Sequence, residues 1–202
     1  MQTMRSFSQP PARTNLPKAI LHTIFFHRYF SSVRPSTFEV LDFTDPSVSD
    51  QELGTLIETR AGQLLRQLGP NASSSASTRG KLSVLFYEKK RKKAGAGLGW
   101  FGTGKVEEDI LWEKWSLIVT LATPNTEHGG FQCDRRCCVG TDPDSERDKI
   151  LRAAGASLQK SMLQVIKIVN REKAHIPAIT SNEVNPFPYK IDITPRIEGL
   201  RS

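Results

Sequence analysis

Apolar residues recur at helical spacing in three stretches of the chain and alternate with polar ones in four others. From Lys18 to Phe30 the sequence KAILHTIFFHRYF is densely apolar. Ile20, Ile24 and His27 share one helical face there, with Leu21, Phe25 and Arg28 beside it. Pro17 fits a helix start, and so continuous an apolar surface predicts a largely buried helix. The second helix carries Leu53, Leu56, Ile57, Ala61, Leu64, Leu65 and Leu68 at a 3.6-residue period. Ser49 or Asp50 caps it, Glu52 lies in its first turn, and Gly69-Pro70 stops it. The third, from about Glu146 to Asn170, has Ile150, Leu151, Ala154, Leu158, Met162, Val165, Ile166 and Val169 on one stripe. Gly155 inside it costs about 1 kcal/mol relative to Ala.

The alternating segments predict strands. Phe38 to Phe43 reads as a short one, followed by a turn at Asp45-Pro46. Lys81 to Glu88 puts Leu82, Val84 and Phe86 on one face. Leu111 to Leu121 puts Leu111, Glu113, Trp115, Leu117, Val119 and Leu121 on one face, so Trp112 and Trp115 point to opposite sides. The last two strands pair as a hairpin with an unusually long loop, and Tyr189 to Ile193 adds an edge strand. The order predicts an α+β domain, a small antiparallel sheet backed by three helices with a long hairpin loop. The expected core comprises Leu21, Phe25, Leu64, Val84, Phe86, Leu117, Val119, Met162 and Ile166.

With 202 residues the chain is expected to form one domain with tails: a tail over 1–17, the domain over 18–194 with a variable polar insertion at 122–145, and a tail over 195–202. Residues 1–17 are polar and proline-rich, which reads as a disordered or divergent tail rather than a secretory signal or a presequence. No stretch reaches the roughly 18 apolar residues of a membrane span. The formal net charge is +7, and no acid precedes Glu39. Solvated surface charge accounts for this more simply than a nucleic-acid or membrane surface, because no RNA-recognition or zinc-finger spacing accompanies it.

Most chemistry-bearing patterns fail on their context. Gly99 to Lys105 matches most of a phosphate loop, but Val106 stands where a hydroxyl should meet Mg²⁺, and Glu107-Glu108-Asp109 follow where a helix should begin. Cys133, Cys137, Cys138 and His128 approach metal-ligand spacing, yet adjacent Cys137 and Cys138 fit one tetrahedral ion poorly, so inert thiols of a reducing compartment are expected. His22 and His27 are five apart and point away from each other, as core-rim histidines satisfied by hydrogen bonds; His175 stands alone. Glu107 and Glu108 lie in a charged loop with nothing to raise a pKa. No catalysis, metal or cofactor is expected.

The feature left over is the hairpin loop. Lys89, Lys90, Arg91, Lys92 and Lys93 form a basic run, followed by glycines at 95, 97, 99, 102 and 104 around Trp100 and Phe101. Two large aromatics on backbone that is entropically costly to fix predict an exposed protein-binding finger. The basic run is the candidate electrostatic patch, and a rival reading makes it a module for nucleic acid or an anionic membrane.

These residues also carry a resemblance. AILHTIFFHRYF, VLDFT, ELGTLIETRAGQLLRQL, VLFYEKKRKK, the WFG at 100–102, LWEKWSLIVTLAT and VIKIVNREKAHIP are collinear with, and resemble, the autophagy-related protein 101 family in its fungal style. The resemblance implies a HORMA domain and a non-enzymatic adaptor of the autophagy-initiation kinase complex. It implies a heterodimer with the HORMA domain of autophagy-related protein 13, using the helix near 147–170. It makes Trp100-Phe101 the family's finger that recruits downstream factors. Location in the cytoplasm and at the preautophagosomal structure, no nucleic acid, and only peripheral membrane contact follow from the same source. Two departures stand out: residues 1–17 do not read as the strand that usually precedes the first helix, and glycines rather than a proline flank the aromatics. The segment after Ile193 corresponds to the mobile belt of HORMA domains, in a state the sequence leaves open.

Overall fold

A computed structural model describes residues 2–8, 10–31, 34–41, 43–68, 79–92, 106–121, 143–179 and 185–194. Among these residues three helices pack on a four-stranded sheet, and a separate two-stranded hairpin lies against the helices. Helix α1, Pro10–Arg28, is the central one. Leu16, Ala19, Ile20, Leu21, Ile24 and Phe25 are all buried, because α1 is packed by α2 and α3 as well as by strands. Its lack of a polar face is therefore the expected signature of an enclosed helix. It begins earlier than Pro17. Pro10 and Pro11 occupy the first turn, where a missing N–H costs nothing, and Pro17 gives up only the bond to Arg13.

Helix α2, Gln51–Leu68, buries Leu53, Ile57, Ala61, Leu64 and Leu68. Asp50 is its cap: Oδ1 accepts from the backbone N–H of Glu52 at 2.9 Å and of Leu53 at 3.1 Å. The phenol of Tyr29, at the end of α1, donates to Oδ2 at 2.7 Å and so joins the two helices. Helix α3, Pro143–Arg171, buries Ala154, Leu158, Ser161, Val165, Ile168 and Val169. Ile166, expected in the core, is instead exposed, because α3 buries a narrow three-four stripe one position away; Met162 is partly buried beside it.

The sheet runs β1, β5, β4, β6. Strands β4, Arg79–Lys92, and β5, Val106–Leu121, form the long antiparallel centre, and β6, Tyr189–Thr194, adds antiparallel to β4. Strand β1, Gln2–Ser8, lies parallel to β5, so the sheet is mixed rather than wholly antiparallel. The expected tail over 1–17 is thus a strand and the first two turns of α1. Met4 and Phe7 are three apart, out of phase with a strand's period of two, so pattern alone does not reveal β1. Leu82 faces Leu117 across the centre, and Val84 lies between Trp115 and Ile191; all are buried under the helices. At Gly80 a Cβ would come within 2.7 Å of Leu64 Cδ1, so the absent side chain lets α2 approach β4 closely.

The single strand expected over 38–43 is a hairpin. Strands β2, Pro35–Val40, and β3, Phe43–Val48, pair around Leu41, which has a φ of 54°. Asp45-Pro46 is not a turn: it sits inside β3, opposite Phe38 and Thr37. Proline is tolerated because both strands of a two-stranded sheet are edges. Asp45 is buried, and burial raises its pKa.

Asp50 gives the first prediction. The Tyr29 hydroxyl, then the Leu53 and Glu52 amides, hold its pKa below 3.8, while burial, Asp50 and neighbouring groups push Tyr29 up to about 12. A depressed carboxylate stabilises the fold above pH 3.8, and that contribution is lost as pH falls below it. Asp50→Ala should cost about 1 kcal/mol in urea unfolding at pH 7, and the deficit relative to the parent should shrink as pH is lowered through 4.

Candidate functional site

The β4–β5 hairpin leaves the body of the domain at a break in its register. Phe86 pairs with Glu113 but Tyr87 pairs with Leu111, so Trp112 is the extra residue of a β-bulge. The bulge interrupts the alternation read from the sequence: Glu113 is buried, whereas Leu111 on the same expected face is 45% exposed. Trp115 is buried as a core residue. Trp112 is half-buried in an aromatic cage, with ring centroids 5.8 Å from Phe86, 5.6 Å from His175 and 5.2 Å from Phe187. The Tyr87 amide donates to the Pro188 carbonyl at 2.8 Å, so the C-terminal segment grips both strands at the root of the hairpin.

Under the root lies a buried ionic cluster. Arg28 Nε donates to Glu113 Oε2 at 2.7 Å, and Arg28 Nη2 donates to the Glu172 carbonyl at 2.8 Å. Both side chains are almost fully enclosed. His175 Nε2 lies 3.3 Å from the other Glu113 oxygen, in ionic range but without a hydrogen bond. This cluster joins the end of α1, the end of α3 and β5. His175, solitary in sequence, is part of it. Its signal was present: Glu113 falls on the apolar face of β5, and a charge there requires a partner.

Beyond the root, Lys89, Lys90, Arg91 and Lys92 are not in a loop but extend β4. The register sets Lys89 opposite Asp109, Lys90 opposite Glu108 and Arg91 opposite Glu107. The acids read as a loop likewise belong to β5. Lys93, Trp100 and Phe101 lie outside the described residues, as do Cys133, Cys137, Cys138 and His128. Val106 opens β5, so no helix N-terminus follows the glycine-rich Gly99 to Lys105. Among the described residues no cluster of three or more His, Cys, Asp or Glu could hold a metal ion. His22 stacks on Phe38 at 5.0 Å, and its Nδ1 is buried without a hydrogen bond, contrary to the expected satisfied ring. Burial, and then Lys18, lower its pKa; burial, and then Arg28, lower that of His27.

A second surface runs along α3. Leu151, Leu163 and Ile166 are exposed, Leu163 by half. A groove of about 490 Å³ opens between Leu41 and Phe43 of the β2–β3 hairpin and Leu151, Gly155 and Ala156 of α3. A neighbouring one of about 450 Å³ continues along Ala156, Gln159, Leu163 and Lys167.

This arrangement of helices, mixed sheet and long central hairpin is that of an α+β domain in keeping with a HORMA-type fold. The family model described as Autophagy-related protein 101 matches residues 13–183. A protein of Schizosaccharomyces pombe (strain 972 / ATCC 24843) named Autophagy-related protein 101 is 31% identical over 186 residues, covering 92% of this chain and 82% of its own. One of the same name from Arabidopsis thaliana is 26% identical over 179 residues, covering 87% and 78%. The chain belongs to the Autophagy-related protein 101 family and has a role in autophagy. Among the described residues no helix is long and apolar enough to cross a membrane.

The ionic cluster gives the second prediction. Arg28→Met leaves the Glu113 carboxylate buried without its cation and should cost about 3–5 kcal/mol in chemical denaturation. Adding Glu113→Leu should recover most of that loss, since a buried pair replaced whole by apolar groups is near neutral.

Proposed function

We propose that this protein is a non-enzymatic adaptor of the autophagy-initiation kinase complex. Its α3 face pairs with the HORMA domain of an autophagy-related protein 13, and Trp100-Phe101 recruits downstream factors. The observation that carries this reading is the exposed apolar row Leu151, Leu163 and Ile166 beside the groove at Leu41 and Phe43. Large apolar side chains gathered on one face of a helix are costly in water unless a partner covers them. A second HORMA-type domain presenting a similar helix suits exposed leucine and isoleucine side chains interspersed with Gln159, Lys160, Gln164 and Lys167. The finger reading is supported by the chain order, since Trp100 and Phe101 fall in sequence between the paired ends of β4 and β5. Such an adaptor works in the cytoplasm and gathers at the preautophagosomal structure, with at most peripheral membrane contact.

The basic-run rival is weakened by the register. A strand whose cations face Glu107, Glu108 and Asp109 offers a polyanion little net positive charge.

Two results are expected. Leu163→Asp with Ile166→Asp should leave the isolated fold within about 0.5 kcal/mol of the parent, as surface changes do, and abolish the one-to-one complex with the HORMA domain of autophagy-related protein 13 in size-exclusion chromatography with light scattering. A complex that survives these changes would move the interface elsewhere. Trp100→Ala with Phe101→Ala should keep that complex and the melting temperature, yet lose recruitment of downstream factors in a reconstituted pull-down. A large drop in melting temperature would make the aromatics core instead.

A further inference from the structure

Among the described residues, the outer half of the β4–β5 hairpin has no neighbour in the sheet. Pairing of β6 with β4 stops at Phe86, and pairing of β1 with β5 starts at Trp115. Residues 87–92 and 106–111 therefore form a free-standing two-stranded ribbon. Such a ribbon is marginal in water unless something other than its own backbone holds it. The apolar effect supplies little here: Lys89, Lys90, Glu107, Glu108 and Asp109 are all exposed, and so is Leu111.

What the ribbon has is charge arranged in register. Three basic residues in succession on β4 sit at Cα-paired positions with three acids in succession on β5. Directly opposed unlike charges attract across an antiparallel pair, and like charges there repel. Lys90 also lies 3.3 Å from Glu88, two residues along the same strand, so this cation has an acid beside it as well as one opposite. At the base, the Trp112 cage and the Tyr87–Pro188 hydrogen bond fix the start of the ribbon. From there outward, among the described residues, the paired charges join the backbone ladder in continuing the closure.

We infer that Lys89, Lys90 and Arg91 are positioning residues: with Glu107, Glu108 and Asp109 they form an electrostatic zip that holds the ribbon closed. Three residues of the basic run are thus matched by acids within the chain, whereas Lys92 stands opposite Val106. The zip also makes the ribbon sensitive to ionic strength, unlike the apolar core beneath it. This inference does not depend on what the segment beyond the ribbon binds, so it stands or falls separately from the adaptor reading.

The test is amide hydrogen–deuterium exchange on the full chain. Three variants are compared with the parent: E107K/E108K/D109K, K89E/K90E/R91E, and the two sets combined. Each one-sided reversal puts like charges opposite one another and should speed exchange across 87–92 and 106–111 about tenfold or more, the combined effect of three cross-strand pairs. Amides of 82–86 and 115–119 should keep the parent rates, which confirms an intact body. The combined variant, with every pair restored in the opposite sense, should return the ribbon to parental protection. In the parent, raising salt from about 0.01 M to about 1 M, where the Debye length falls from about 30 Å to about 3 Å, should speed exchange in the ribbon alone. Failure of the combined variant to recover, or a ribbon indifferent to both reversal and salt, would overturn the zip. If the one-sided variants do not fold, the parent's salt series and the combined variant decide the question by themselves.

Discussion

The contact on which this domain turns is the ion pair between Arg28 and Glu113. One closes the central helix and the other sits in one of the two central strands, and the same guanidinium also satisfies the carbonyl of Glu172 at the end of α3. Enclosing both charges costs several kcal/mol per ion, and their attraction does little more than offset that. Apolar side chains of the same size would hold the layers together as well. What they would lack is direction. A guanidinium with donors aimed at a carboxylate and a carbonyl fixes where α1 ends, where α3 ends and which strand they meet.

That fixed corner governs the exterior. Because the chain leaving α3 is held there, His175 and then Phe187 come to lie against Trp112, and Pro188 reaches the Tyr87 amide. The bulge caged by these contacts divides the central hairpin into two regimes. Below it the strands are joined by buried apolar faces, and above it by exposed charges in register. Among the described residues, α3 exposes Leu151, Leu163 and Ile166, and the outer hairpin exposes Leu111.

Much of this was legible in the sequence, and the misses have physical causes. The three helices and the central strands follow from periodicity, because their apolar faces are buried against one another. Strand β1 was illegible because QTMRSFS has no alternation to read, and it is held by backbone pairing to β5. The β2–β3 hairpin was hidden because its reversal rests on Leu41, a residue that carries no turn signal. Ile166 looked like core because a helix pattern gives the width of an apolar stripe and not how much of it a neighbour covers. The charged ribbon reads as loop in sequence since neither face of it is apolar, and opposed charges reveal a strand only once the register is known. The family, by contrast, was readable from short blocks, several of which also supply the core.

The sheet's connectivity carries a consequence for how the chain reaches this state. Gln2 lies beside Trp115 and Lys81 beside Thr194, so both flanking strands find their places only through contacts between distant parts of the chain. The β4–β5 pair is the one local element of the sheet. Loop-closure entropy makes distant pairings late and slow, and local ones early. On a ribosome, β1 is already made when β5 appears and can cover its edge, whereas the edge of β4 stays bare until β6 has emerged, well after α1 and α2 were made. During that interval the unpaired edge of β4 is open to other chains. Synthesis of this domain therefore carries a window of aggregation risk that closes only with its final strand.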